Sequence, residues 1–503
     1  MIGINKGKFW RDYNKLKKSA HEATRWNKIE DSYCLIQTAA KIAYNLPFTY
    51  ADDELESIIQ KIAGQSLITK GFSPCKNRFV LYDSFGMDNK GLTQQYLRAL
   101  INWKVDFLYI FDSTENSDIG QDIYQELNDH ESAEIYITPK DCNCSFKKSQ
   151  LIIERIQQYC PETAFIHIAP WSVMAIGIWS QLPIINRYMI DITDHSFWLG
   201  KTAADYFIGF RNYGNHISNY YRGIEKYRLL TQKYYPIVNK NIFQGFPKLP
   251  ENKVVILCGS NYYKIYGKSG IFLEILKRVA NENQNCIILF AGSGNVLPFK
   301  KFIKKHNLQD RIILIGERND INEVVKRSDI MLATYPFGGG LMTQYALINA
   351  KPLIAYESSD LSLSSIDYLL QSKNIPQIIF NDINLFYMRI NKLINCSTAR
   401  QEMSERLEGC VLSPEEFATD LKRKIEYNKS SQLLPMTVNR IAIEDLYCEL
   451  ENDWIKQYEF IKIINLKGKY FYYDLVGAFK AYFFVFIRRF PDIPNWVIRK
   501  LSN

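Results

Sequence analysis

From Arg78 onward the chain alternates short, wholly apolar runs with longer amphipathic stretches, and it does so in two successive series. Runs of five to eight apolar residues with little polar alternation belong to strands covered on both faces. Amphipathic stretches between them supply the helices that do the covering, so the pattern predicts parallel sheets in an α/β architecture. In the first series the strand candidates are 79–85 (FVLYDSF), 105–111, 134–138, 164–169, 188–193 and 206–210, with helix candidates such as 92–103 and 149–159. The stretch 236–253 (PIVNKNIFQGFPKLPENK) holds three prolines and a glycine and reads as a link. A second series follows, with strands at 254–260, 286–292, 311–316, 330–335 and 352–357 and helices near 269–282, 297–306, 319–327 and 341–350. Two Rossmann-like halves in tandem are the organisation this implies.

Residues 1–76 read instead as helical. Tyr33, Ile36, Ala40 and Ala43 recur at helical spacing, as do Leu55, Ile58, Ile59 and Ile62 before Gly64. Acidic Asp52, Asp53 and Glu54 stand where the helix dipole favours them. The expected division is a helical extension (1–76), a first Rossmann-like domain for the acceptor (77–240), a second for the nucleotide (253–430) and C-terminal amphipathic helices (431–503). With 503 residues, 47% hydrophobic and 23% charged, the chain is long enough for several cores and too apolar to be disordered.

The cysteines exclude a disulfide scaffold. All ten are scattered, none in a CxxC pair, and Cys142 and Cys144 are too close for a zinc knuckle, which suits a reduced compartment. The start has a signal peptide's positive charge without an apolar region or cleavage site, and no run of 18 apolar residues is present. A cytoplasmic protein is expected, or one peripheral on the inner face of the cytoplasmic membrane. Charge is unevenly placed: residues 1–30 carry +5 and 461–503 carry +6 of a net +9, leaving 31–460 at −2. A nearly neutral body argues against nucleic acid as a partner. The segment 475–490 (LVGAFKAYFFVFIRRF), with Trp496, Arg499 and Lys500 after it, is too short to span a bilayer. Its aromatic and basic texture predicts contact with an anionic membrane surface through 475–500.

The most informative stretch is 328–358. A strand expected to end at Tyr335 is followed by Pro336, by Gly338, Gly339 and Gly340, and by a helix expected near Leu341. Free backbone amides at a helix N-terminus attract an anion, and glycine lets a phosphate reach the backbone. Asp329 before the strand and Ala350-Lys351-Pro352-Leu353-Ile354 after the helix complete a pattern that resembles the nucleotide-sugar site of GT-B glycosyltransferases. Gly292-Ser293-Gly294 and the strand 311–316, with Glu317 and Arg318 beyond it, fall in register with that family. The resemblance covers about 78–430. It implies two Rossmann-like domains facing across a cleft and transfer from a nucleotide sugar, with UDP as the expected nucleotide. One departure is plain: the two glutamates of many retaining members are here Phe337 and Tyr345, so the turn is closer to the O-GlcNAc-transferase-like and capsular-polysaccharide branches.

The same resemblance assigns candidate residues. Gly259 and Ser260 form a turn beside Lys264 and Lys268, either of which would neutralise the donor diphosphate. Glu317 and Arg318 join them as donor candidates. In the first half, Asp194 or His195 would be the base on an acceptor hydroxyl in an inverting enzyme, or His195 would hydrogen-bond the donor sugar in a retaining one. Asp88, in the turn with Gly86, Asn89, Lys90 and Gly91, is a further candidate base, and Trp198 is either a sugar platform or a buried anchor. No DxD-like pair ends a strand near the site, so no essential metal or other cofactor is expected. The acceptor expected is a lipid-linked oligosaccharide in surface-polysaccharide synthesis or a protein hydroxyl. The alternatives are a non-catalytic subunit and an epimerase.

Overall fold

The computed structural model describes residues 6–88, 92–115, 118–139, 145–238, 241–361, 366, 375–428, 433–450 and 455–487. The chain divides into two compact units, Met1–Gln232 with Ala418–Pro435 and Tyr447–Asn503, and Lys233–Phe417 with Met436–Leu446.

The first unit opens with three helices, α1 (Lys6–Arg25), α2 (Ile29–Asn45) and α3 (Asp53–Ser66). Asp52 caps α3, its carboxylate accepting from the amides of Glu54 (3.1 Å) and Leu55 (3.0 Å). The helices alternate thereafter with strands: β1 (Cys75–Asp83), α4 (Thr93–Trp103), β2 (Asp106–Phe111), α5 (Gln121–Asn128), β3 (Ala133–Ile137), α6 (Ser145–Tyr159), β4 (Pro161–His167), α7 (Val173–Ser180), β5 (Asn186–Ile190), β6 (Tyr206–Gly209), α8 (Asn212–Tyr220) and β7 (Leu229–Thr231). The sheet order is β3-β2-β1-β4-β5-β6-β7, with every pair parallel. Val80 lies opposite both Leu108 and Ala164, and all three are fully buried.

The first three helices are not a separate extension. Leu35, Ile36, Ile59 and Ile62 share one core with Val80, Ile166 and Trp179. Glu56, buried on α3, accepts from the amides of Gly200 (2.8 Å), Lys201 (2.9 Å) and Thr202 (2.9 Å), fastening the helix to the β5–β6 connection.

The second unit holds β8 (Val254–Gly259), α9 (Ile271–Glu282), β9 (Cys286–Ala291), α10 (Leu297–Lys305), β10 (Ile312–Gly316), α11 (Ile321–Lys326), β11 (Ile330–Leu332), α12 (Gly340–Ile348), β12 (Leu353–Tyr356), β13 (Ile379–Phe380), α13 (Ile383–Asn395) and α14 (Ser397–Leu407). Its order is β10-β9-β8-β11-β12-β13, again all parallel. The strand expected to reach Tyr335 stops at Leu332. Ala333 makes a last ladder bond to the Ile354 carbonyl (2.9 Å), and Pro336, which has no N–H, follows a cis peptide.

The chain then returns through α15 (Pro414–Tyr427), α16 (Arg440–Leu450), α17 (Ile455–Leu466), α18 (Lys469–Tyr473) and α19 (Leu475–Ile487). The nucleotide-domain boundary expected at 430 is therefore displaced: Ala418 onward belongs to the first unit, where the Trp103 indole donates to the Ala418 carbonyl (2.9 Å). Among the described residues no helix is long and apolar enough to cross a membrane.

One buried carboxyl in the first sheet has a measurable consequence. Asp112, fully buried after β2, accepts from Tyr82 Oη (2.6 Å) and the Thr114 amide (2.8 Å), and burial pushes its pKa up from 3.8 to about 6. The native state thus holds this proton more tightly than the unfolded chain does, and stability falls as pH rises between those two values. Asp112→Asn should remove that loss, stabilising the protein at pH 7.5 by on the order of 2 kcal/mol and leaving it unchanged at acid pH. Parallel melting curves of the two proteins across this range would refute the assignment.

Candidate functional site

All six strands of the second sheet point the same way, so their carboxyl ends gather the connecting loops along one edge. The strand order reverses between β8 and β11, the place where ligands sit in open α/β sheets. Two loops flank that point, 260–270 after β8 and 333–339 after β11. They approach so closely that Gly339 leaves no room for a side chain: a Cβ there would lie 2.5 Å from the Gly259 carbonyl oxygen, while one on Gly259 would meet the movable end of Met342 at 2.7 Å from Cε. The Phe337 amide also donates to the Lys264 carbonyl (3.5 Å), and Thr334 Oγ1 to the Phe337 carbonyl (2.8 Å). Helix α12 begins at Gly340 with Gly339 as its cap residue, and Thr343 is the first residue to bond back, to the Gly339 carbonyl (2.9 Å). Gly340, Leu341 and Met342 therefore present amides with no partner inside the helix, at its positive end. Gly338 lies on the approach and is partly exposed, and Leu341 is exposed.

Lys264 stands in a short 3₁₀ turn, Tyr262–Ile265, hung from this junction. Its side chain is partly buried, no carboxylate among the described residues pairs with it, and burial lowers its pKa below the ordinary lysine value. A partly buried ammonium without a carboxylate partner among the described residues gains from an added anion. Lys268 differs. It pairs with Asp360 (2.7 Å), which also holds Ser358, and Ser358 in turn meets Tyr335 Oη (2.6 Å). Ser260 Oγ donates to the Asn261 carbonyl (3.1 Å).

Other donor candidates are held elsewhere. The Arg318 guanidinium is bidentate on Asp320 (2.7 and 2.6 Å) and donates to the Gly245 carbonyl (3.0 Å), so it fastens the 241–253 segment to its own unit rather than waiting for a phosphate. Glu317 is exposed, next to Gly316 at φ +71°. Asp329 accepts from the Val255 amide (2.7 Å) at the opposite edge of the sheet, which makes it a structural latch. Phe337 lies near Tyr263 (6.4 Å between rings), and buried Tyr345 donates to the Ile237 carbonyl (3.4 Å), so neither supplies a carboxylate.

In the first unit, two of the three candidate bases are committed to structure. Asp194 is buried, which by itself would raise its pKa. The Arg211 guanidinium (2.9 Å at Nη2) and His195 (3.3 Å) override this and hold the carboxyl well below the usual range, leaving a very weak base. Asp88 caps α5, accepting from the amides of Asp122 (3.3 Å) and Ile123 (3.0 Å). Asn89, Lys90 and Gly91 lie outside the described residues. His195 has a third of its side chain exposed, with Nδ1 against Asp194 and its ring 6.4 Å from Tyr447. Trp198 is the buried anchor, stacked on Phe207 (5.4 Å) with the Arg222 guanidinium 4.5 Å from its ring.

One cluster escaped the sequence reading. At the β1/β4 reversal of the first sheet, His167 Nδ1 meets Asp83 Oδ1 (2.9 Å) and Thr93 Oγ1 (3.0 Å), and Asp83 also accepts from Tyr109 Oη (2.7 Å) and the amides of Phe85 and Gly86 (both 3.0 Å). Burial would raise the Asp83 pKa, but these donors hold it below the ordinary value. His167 Nε2 is buried without a partner among the described residues. Asp83 and His167 are 84 residues apart in sequence, so no local motif announces the pair.

No protein-family profile matches the chain, and no curated protein matches it. Solved structures do. A crystal structure of Anabaena HepE in complex with UDP and glucose matches at 12% identity and a TM-score of 0.50, over 69% of this chain and 99% of that one. A glycosyltransferase from Rickettsia africae matches at 12% identity and a TM-score of 0.51, over 71% of this chain and 100% of that one. Together with the two parallel sheets, these likenesses establish the GT-B fold.

Proposed function

We propose that this GT-B chain is a glycosyltransferase that moves a hexose from a UDP-sugar to a hydroxyl acceptor. The observation that carries the reading is the junction of Gly259 and Gly339, where the N-terminal amides of α12 open at the strand-order reversal and the Lys264 backbone, its carbonyl bonded to the Phe337 amide, joins the same turn. Sugar transfer breaks the bond between the anomeric carbon and the diphosphate, and the leaving nucleoside diphosphate gathers negative charge. Aligned amides and an ammonium are the groups that stabilise it. HepE's complex with UDP and glucose supports UDP as the nucleotide. Gly338, Gly339, Gly340, Leu341, Gly259 and Ser260 line the diphosphate, with Lys264 as the charge and Lys268 positioning the loop through Asp360. His195 is the group left in the first unit to take the acceptor proton, its Nδ1 oriented by Asp194. The reaction needs no metal in this reading. The acceptor is a lipid-linked oligosaccharide in surface-polysaccharide synthesis, at the inner face of the cytoplasmic membrane; a protein hydroxyl is the other acceptor with the same chemistry.

A second reading, a donor-binding subunit without transfer activity, is favoured by one observation: Phe337 and Tyr345 leave no carboxylate on the turn to hold a ribose. Calorimetry with UDP, GDP, TDP and CMP, followed by donor hydrolysis with and without EDTA, separates these. Tightest binding of UDP with hydrolysis retained in EDTA is expected. Binding without turnover would select the subunit, conversion of the sugar without acceptor would select an epimerase, and loss of turnover in EDTA would overturn metal independence.

A further inference from the structure

Helix α19 packs inside out. Its small residues face the protein, with Ala478 and Ala481 fully buried, while Phe479, Phe483 and Phe486 are 63%, 52% and 56% exposed. Leu475 and Val476 continue the same exposed row, at the spacing of one helical face. Water would ordinarily select the reverse arrangement, because large apolar side chains gain most from burial. The orientation is fixed locally: Asp474 accepts from the Gly477 amide (2.8 Å) and pairs with Lys15 (2.8 Å), and Phe471 stacks on Tyr482 (5.2 Å). A second exposed group lies where α1 meets α2. There Lys28 sits over the rings of Trp26 (5.7 Å) and Tyr472 (4.4 Å) and donates to Tyr472 Oη (3.1 Å), and both aromatics are exposed. Trp, Tyr and Lys together are the side chains that settle at the headgroup level of a bilayer.

We propose that the exposed face of α19 docks on an anionic lipid surface, with Leu475, Val476, Phe479, Phe483 and Phe486 entering the acyl boundary and lysines meeting the headgroups. Charge decides between a bilayer and a second copy of the chain. Of the four lysines in 461–487, Lys462 is buried against Asp12 and Glu459, while Lys467, Lys469 and Lys480 are exposed beside a single aspartate, a balance that repels its own image and attracts anionic lipid. The 13 residues of α19 are too few to span, so the helix lies in the interface plane. This gives the membrane location proposed above its surface, yet it is tested without donor or acceptor, so it fails or stands separately from the transfer reaction.

The test is flotation of the full chain with vesicles of phosphatidylcholine alone and with phosphatidylglycerol added. Binding to the anionic vesicles only, weakened by salt, is expected. The double substitution Phe479→Glu and Phe483→Glu should weaken it at least about tenfold, whereas Ile242→Glu, a substitution at an exposed position in the second unit, should leave it unchanged. Both sites are exposed, so the variant should melt as the parent does. Equal flotation of parent and double variant, or none with anionic vesicles, overturns the proposal. So does sedimentation showing a vesicle-free dimer that the double variant dissolves, since that assigns the face to a second copy.

Discussion

Gly339→Ala should lower UDP affinity at least about 100-fold, roughly 3 kcal/mol, in a protein that still folds. The added Cβ would stand 2.5 Å from the Gly259 carbonyl oxygen, closer than such atoms approach, and one of the two backbones has to retreat. Gly259 cannot easily do so, because it ends β8 in register with Ala291 of β9 and is buried behind Met342. The turn 336–340 has to yield instead, carrying with it the amides of Gly340 and Leu341. A diphosphate held by fixed amides is sensitive to displacements of this size, since the donors cannot follow it. Gly71→Ala supplies the control: nothing lies within 4 Å of its added Cβ, so neither binding nor melting should change. Calorimetry with UDP checks both. Unaltered affinity in Gly339→Ala would remove the turn from the donor site, and with it the main support for nucleotide-sugar chemistry in this chain.

The position of that turn was readable from sequence because glycines and wholly apolar runs are local signals. Parallel strands buried on both faces show as uninterrupted Val, Ile, Leu and Phe, and eleven of them stood out. The two that did not, β7 and β13, are three and two residues long, too short for any period to register. Helix α7 gives no periodic signal for the opposite reason: from Val173 to Trp179 it is buried on every side, so it has no polar stripe. The return of Ala418 and Tyr447 onward to the first unit is a long-range contact with no trace in local pattern. Charged candidates failed in the same way. Asp88, Asp194, Arg318 and Asp329 look free in sequence, but their partners are the α5 amides, Arg211, Asp320 and the Val255 amide, and all except Asp320 are remote along the chain. A charge's availability is a property of what folding brings beside it. Lys264 is the donor candidate with no carboxylate partner among the described residues, and His195 is the candidate base that keeps a third of its side chain exposed.

Lys264→Met should therefore act in opposite directions on binding and on stability. In the free protein the ammonium is partly buried with no counter-charge among the described residues, and burial lowers its pKa. A lysine whose folded pKa lies below its unfolded value costs stability wherever it is charged, and that cost fades as pH rises through the folded pKa. Methionine keeps most of the length and apolar contact without the charge, so the free variant should melt at or above the parent's temperature at neutral pH. Towards UDP the same substitution removes the cation that the proposed site sets against the diphosphate, and affinity should drop about 30- to 100-fold. The pH profile carries the assignment: parent affinity should decline with rising pH sooner than an ordinary lysine would dictate, and Lys264→Met should lack that decline. Lys264→Arg, charged at every accessible pH, should also lack the decline while keeping part of the affinity. A residue that only braced the loop would lower stability and binding together and leave the profile unchanged, so a destabilised Lys264→Met with a parental pH profile would show that this lysine serves the turn and not the ligand.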